Sequence, residues 1–159
     1  MKYGEQITNM YYSKLIKTAC LIMYDAHRDD VDKGGYPYVF HPFYLATQMP
    51  DEESTCAALL HDVIEDHGDK YSFDSLEEAG IPESVIAALR LLTHDKSVEY
   101  MTYVRALAAN PIARRVKIAD LKHNLDSRRT DGAAPRKKEL YLQALEYLEG
   151  MESKDGEHH

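Results

Sequence analysis

The chain has 159 residues, 44% of them apolar and 29% charged, and a formal net charge of −8. That length suits one domain, and the acidic balance argues against polymeric nucleic acid as the main partner, because phosphate binding wants a basic surface. No apolar run approaches the ~18 residues needed to cross a bilayer, and the N-terminal MKYGEQITNMYYSK lacks the apolar core of a signal peptide, so no membrane role and a cytoplasmic setting are expected.

Apolar positions recur at helical spacing with no strand-like alternation, so the expected fold class is an all-α, single-domain bundle. The first long helix runs from about Thr8 through Tyr12, Leu15, Ile16, Ala19, Met23 and Ala26, and ends at RDDVDKGGYP. Cys20 lies in this helix and Cys56 in a later one; without CxxC spacing both read as core thiols. A short helix follows His41-Pro42. Asp51 then caps a helix expected to run unbroken from Glu52 to about Asp66.

Further helices are expected around Asp74 to Ala79, from Pro82 to about Thr93, and from Val98 to Ala109. The last two run from Pro111 to about Asp126 and from Arg136 to Leu148. Residues 1–150 form the domain, and 151–159 are a polar, disordered tail by this reading. His158 and His159 match the start of an expression tag and are given no function. Tyr100, Tyr103, Tyr141 and Tyr147 serve either an interface or the core.

The chemistry is concentrated in CAALLHDVIEDHG. At ~100° per residue, His61, Asp62, Glu65 and Asp66 fall within one arc of roughly 140° on a helix. A solvated surface face is the plain alternative, but such faces mix lysine with glutamate, and this one has no base. Three carboxylates packed together repel one another unless a cation sits among them. Closing a coordination shell needs ligands from elsewhere. PYVFHP offers His41, and VKIADLKHNL offers Asp120; taken singly, His41 could be a core histidine and Asp120 a carboxylate paired with Lys117 or Arg114.

The ordered set DAH (25–27), GYPYVFHP (35–42), AALLHDVIED (57–66), LRLLTHDK (89–96) and VKIADLKHNL (116–125) resembles the HD superfamily of metal-dependent phosphohydrolases. More narrowly it resembles the hydrolase domain of RelA/SpoT-type (p)ppGpp hydrolases. The resemblance implies that His41, His61, Asp62 and Asp120 bind one divalent ion, typically Mn²⁺, a choice the thiolate-free donor set allows along with other transition metals. It implies that Glu65 and Asp66 assist catalysis. Asn124 matches an asparagine that contacts the nucleotide sugar, Ser127 a small hydroxyl residue, and Lys33 the lysine of an Arg-Lys pair near the substrate. Lys117, Lys122 and His123 either steer phosphate or are ordinary surface residues. His27 matches a family histidine, for which packing is expected. His67 and His94 receive no role.

The arginine of that Arg-Lys pair, which lies against guanine in the relatives, is Asp32 here. An aspartate cannot stack on a purine as a guanidinium does, although it can accept hydrogen bonds from guanine N1 and N2. The implied substrate is a small phosphorylated nucleotide, with (p)ppGpp leading. The alternatives are a nucleotide phosphatase of other specificity (a 2′- or 3′-phosphate, or a deoxynucleotide) and a non-catalytic nucleotide-sensing module.

Overall fold

The computed structural model describes residues 10–130 and 137–157, and among them the chain is helical, with one isolated β-bridge between Val31 and Pro37 and no strand. Nine α-helices follow in order: α1 Lys14–His27, α2 Phe40–Thr47, α3 Glu52–Leu60, α4 Val63–His67, α5 Phe73–Glu78, α6 Glu83–Leu92, α7 Tyr100–Leu107, α8 Pro111–Asn124 and α9 Lys138–Glu157. A 3₁₀ turn, Ser127–Thr130, follows α8.

Local chemistry sets most of these boundaries. The Ser13 hydroxyl accepts from Ile16 N at 3.2 Å, and Asp51 Oδ1 accepts from Ser54 N at 2.8 Å; both satisfy amides left open at a helix start. Ser72 and Ser75 form a reciprocal capping box, and Asn110 caps α8 with Pro111 behind it. Among the described residues the first helix begins at Lys14, with Tyr12 before it and 91% exposed; the expected start near Thr8 lies outside the described residues.

The central element is α3. Every residue from Ser54 to Leu60 is buried, because α1, α2, α6 and α8 pack around it. A helix apolar on all sides belongs in the middle of a bundle. Leu59 and Leu60 are each worth roughly 1.5–3 kcal/mol of burial there. The end of α3 is consequently the best-fixed point in the molecule, and His61-Asp62 follows it directly.

Two expectations need correction. The helix over Glu52–Asp66 is broken: Asp62 has φ −108° and ψ 2°, and the chain turns at His61-Asp62 before α4 begins. A single helix could not aim both side chains of an adjacent pair at one point, since neighbours diverge by ~100°. The expected disordered tail is also corrected, because α9 runs to Glu157 and not to Leu148. Buried Arg114 explains the extension: its Nε donates to Glu152 Oε1 at 2.6 Å and it pairs with Asp155, so a guanidinium inside the bundle demands carboxylates from α9. His158 and His159 lie outside the described residues.

Candidate metal centre

Four donor atoms from three segments meet below a pocket of about 180 Å³. His41 comes from the first turn of α2, His61 and Asp62 from the break after α3, and Asp120 from α8. His41 Nε2 lies 2.8 Å from Asp120 Oδ1. His61 Nε2 lies 3.1 Å from Asp62 Oδ2 and 3.7 Å from Asp120 Oδ1. The set is buried apart from Asp62, which is about one-fifth exposed.

The protons at His61 are informative. Its Nδ1 stands 2.7 Å from the Ala58 carbonyl oxygen, which can only accept, so Nδ1 carries the hydrogen. Nε2 is the nitrogen left to face the two carboxylates, buried and with no hydrogen-bond partner of acceptable geometry. Two carboxylates converging on one imidazole nitrogen call for a positive charge between them, and a metal cation suits that arrangement. In its absence, burial opposes a charge on His61, but Asp62 and Asp120 outweigh it and hold the imidazole well above its ordinary pKa. Burial likewise opposes the charge of Asp120, and Lys117, His41 and His61 outweigh it and keep that carboxyl low. The two imidazoles and two carboxylates thus fit a divalent transition metal.

Partners around the four donors fix their orientation. Lys117 Nζ holds Asp120 Oδ2 at 2.9 Å, and Asn124 Nδ2 donates to Oδ1 at 3.0 Å. The Tyr38 hydroxyl donates to Asp62 Oδ2. His41 Nδ1 lies 2.7 Å from His123 Nδ1, with the two rings parallel and Tyr44 stacked on His123. Burial, followed by the nearby Arg129 and His41, lowers His123 to about 4, so it is a neutral partner able to accept from His41 Nδ1–H. That proton position frees His41 Nε2 as a ligand.

Glu65 lines the pocket; its Oε1 accepts from His94 N at 2.8 Å and its Oε2 lies 3.7 Å from Lys96. Asp66 does not line it. Asp66 is exposed at the rim, with its carboxyl pushed up to about 6 by partial covering and by the charges of Asp62 and Glu65. Lys96, Lys117 and Lys137 also line the pocket, with Tyr100, Tyr103 and Tyr141, and Lys117 Nζ lies 5.7 and 5.4 Å from the Tyr100 and Tyr103 ring centroids. Those three tyrosines are walls of the site, and Tyr103 donates to Leu92 O at 2.6 Å.

A second, larger groove of about 550 Å³ lies beside His123, lined by Tyr36, Phe40, Phe43, Tyr44, Asp32, Asp126, Arg128 and Arg129. Asp32 is not free to read a base. Its Oδ1 accepts from Gly34 N and Tyr36 N at 2.9 Å each, and its Oδ2 faces Arg129 Nη2 at 3.5 Å. Arg129 Nη1 also donates to Asn124 Oδ1 at 2.8 Å. Gly34 is needed at this junction, because a Cβ there would overlap the Arg129 carbonyl oxygen. Lys33 and Ser127 are both exposed and line neither cavity. Sequence reasoning missed Arg129, Tyr38, Lys96 and Lys137 and left His123 undecided. Only Lys96 and Tyr38 fell inside segments it had singled out.

A broken helix that turns His61-Asp62 towards a histidine and an aspartate from two other helices defines an all-α domain of the HD type. No protein-family model matches the chain. It is 29% identical over 92% of its length to the bifunctional (p)ppGpp synthase/hydrolase SpoT of Escherichia coli K12, of which it covers 22%. It is 31% identical over 66% of its length to the guanosine-3′,5′-bis(diphosphate) 3′-pyrophosphohydrolase of Haemophilus influenzae Rd, of which it covers 17%. The chain thus spans about a fifth of the length of these curated relatives. Among solved structures it resembles a metazoan ortholog of SpoT described as hydrolysing ppGpp, with a TM-score of 0.68, 26% identity, and 90% and 88% of the two chains covered. In sequence and in fold, the chain is thus similar to SpoT-type (p)ppGpp hydrolases. No helix among the described residues is long and apolar enough to cross a membrane.

Proposed function

We propose that the chain hydrolyses the 3′-pyrophosphate of (p)ppGpp, adding water across that linkage to release GDP or GTP and pyrophosphate in the cytoplasm. The observation that carries this reading is the buried Nε2 of His61, without a hydrogen-bond partner and aimed at Asp62 and Asp120 beneath a pocket lined by lysines. His41, His61, Asp62 and Asp120 would hold the ion, proposed to be Mn²⁺. When bound, such an ion polarises a phosphoryl oxygen and lowers the pKa of water.

The remaining work falls to side chains. Glu65, held by His94 N, moves a proton to or from the attacking water, and Asp66 tunes it from the rim. Lys96, Lys117 and Lys137 take the pyrophosphate charge, as an anion entering an acidic protein needs local cations. Arg129 takes the base-side position that the relatives' arginine would hold, with Phe40, Phe43 and Tyr44 offering apolar faces beside it. Asn124 lies between the two cavities, bonded to Asp120 on one side and Arg129 on the other, and in this reading it contacts the sugar.

The test is turnover of (p)ppGpp by metal-stripped protein with and without added Mn²⁺, with products separated by chromatography. Mn²⁺-dependent release of pyrophosphate supports the proposal. The altered base side, with Asp32 spent on its own turn, favours one second reading: a phosphatase acting on another nucleotide. Orthophosphate as the released product would select it. Metal-loaded protein without turnover on any nucleotide would sink both.

A further inference from the structure

A second set of metal-type donors lies outside the four-residue centre. His27 is the last residue of α1, Asp30 sits in the turn after it, and His67 closes α4. His27 Nδ1 is 3.0 Å from Asp30 Oδ2, and His67 Nε2 is 2.6 Å from the same oxygen. One donor atom from each residue lies within 4.8 Å of the others. With metal–ligand bonds of about 2.0–2.2 Å, neighbouring donors around one ion stand roughly 3.0–3.5 Å apart. The His27–Asp30 separation already fits, and the His67–Asp30 contact needs to open by only a few tenths of an ångström.

The surroundings favour an ion over a plain hydrogen-bonded triad. Among the described residues, the ion-pair partners of Asp30 are these two imidazoles, and no lysine or arginine competes for it. His27 is fully buried, and burial favours the neutral ring, the form that ligates metal. Burial lowers the His27 pKa despite Asp30, and the His67 hydrogen bond keeps Asp30 below the usual carboxylate range. The side chains of Asp30 and His67 are 34% and 25% exposed, which gives an ion a way in and leaves positions for water. A bare structural fastening is already present nearby, where Asp25 pairs with Lys70 and receives the Tyr71 hydroxyl.

We propose that His27, Asp30 and His67 form a second transition-metal site, of the Zn²⁺ class, that staples α4 to the end of α1. Two imidazoles and one carboxylate suit such an ion and not the all-oxygen shells of Ca²⁺ or Mg²⁺. Its position matters to the first centre in two ways. His67 directly follows Asp66, so the staple sets where α4 ends. The Tyr38 ring lies between the two clusters, its centroid 4.8 Å from His27 and 5.6 Å from His41, with its hydroxyl on Asp62.

Zn²⁺ titrated into chelator-stripped full-length protein by calorimetry tests this, with circular dichroism confirming each variant's fold. Wild type is expected to take up two equivalents. His67→Gln, which keeps a hydrogen-bond donor for Asp30 but removes the imidazole ligand, should take up one. Asp62→Ala (or Asp62→Asn, should the alanine variant unfold) should also take up one, and the double variant none. Zn²⁺ should still raise the melting temperature of the Asp62 variant, but not that of the double variant. A single equivalent in wild type that the Asp62 variant abolishes would overturn the second site, as would two equivalents retained by His67→Gln. Loss of uptake in His67→Gln alone would instead sink the first centre, so the two readings fail separately.

Discussion

His61 and Asp62 hang from the end of a helix buried on every side, whereas Asp32 and Arg129 sit on two turns that meet only through each other. In the deep cluster each donor is placed by a core helix or its end, and the partners of Asp120, Lys117 and Asn124, lie one turn away along the same α8. In the groove, position depends on a pair 97 residues apart in sequence and on a glycine that lets one turn lie against the other. The part of a site hung on core helices holds its residue types in order along the chain. The part built on turns can exchange its charges, here an aspartate on one turn held against an arginine from another.

That contrast predicts unequal sensitivity. The largest effect is expected at Asp62→Ala, which removes a ligand without adding a partner for His61. Metal binding and turnover should fall together, turnover by at least about 10³-fold, since the ion supplies several kcal/mol of transition-state stabilisation. Metal content and kcat on one preparation check it; full turnover with no metal bound would refute the ligand assignment. Glu65→Ala comes next. It should keep the metal and lose about 10²–10³-fold in kcat, the range of a lost proton-transfer group. A fully active Glu65→Ala would remove Glu65 from the chemistry.

Third is His123→Ala. Neutral His123 orients the His41 ring, and losing such a partner weakens metal affinity by about 10–100-fold. Mn²⁺ titration by calorimetry reads this directly. If affinity is unchanged, His123 is a groove residue only, and the boundary between the two regions moves.

What could be read beforehand follows the same division. Asp51, Asn110 and Pro111 mark helix starts by local hydrogen bonding, so the bundle was legible from short windows. His41, His61, Asp62 and Asp120 were legible because they stand in short segments whose order along the chain carries the resemblance. The break between α3 and α4 was not, because CAALLHDVIED contains no glycine or proline and the turn is imposed by where the bundle needs both side chains. The extension of α9 was hidden for a related reason: its polar end is held by Arg114, 38 residues away from Glu152, and periodicity carries no trace of that. Arg129 lay outside every recognised segment, and its role exists only through Asp32.

The smallest expected effect tests that last pairing. Arg129→Ala should raise the KM for a guanine nucleotide about 3- to 30-fold with kcat little changed, the range of a cation stacked on an aromatic face. Asp32→Ala should weaken binding indirectly, by releasing Arg129 and the backbone amides of Gly34 and Tyr36. If Asp32 acts only by positioning Arg129, the double variant should be no worse than the poorer single one, a non-additivity expected of residues in direct contact. Strict additivity would mean that Asp32 meets the substrate itself. Introducing Asp32→Arg into the Arg129→Ala background asks whether a guanidinium on the other turn can replace the lost one. Recovery of KM would show that the groove requires a cation at that place and is indifferent to which turn provides it. Failure to recover, in a protein with unchanged metal affinity, would tie the function to Arg129 and its bond to Asn124.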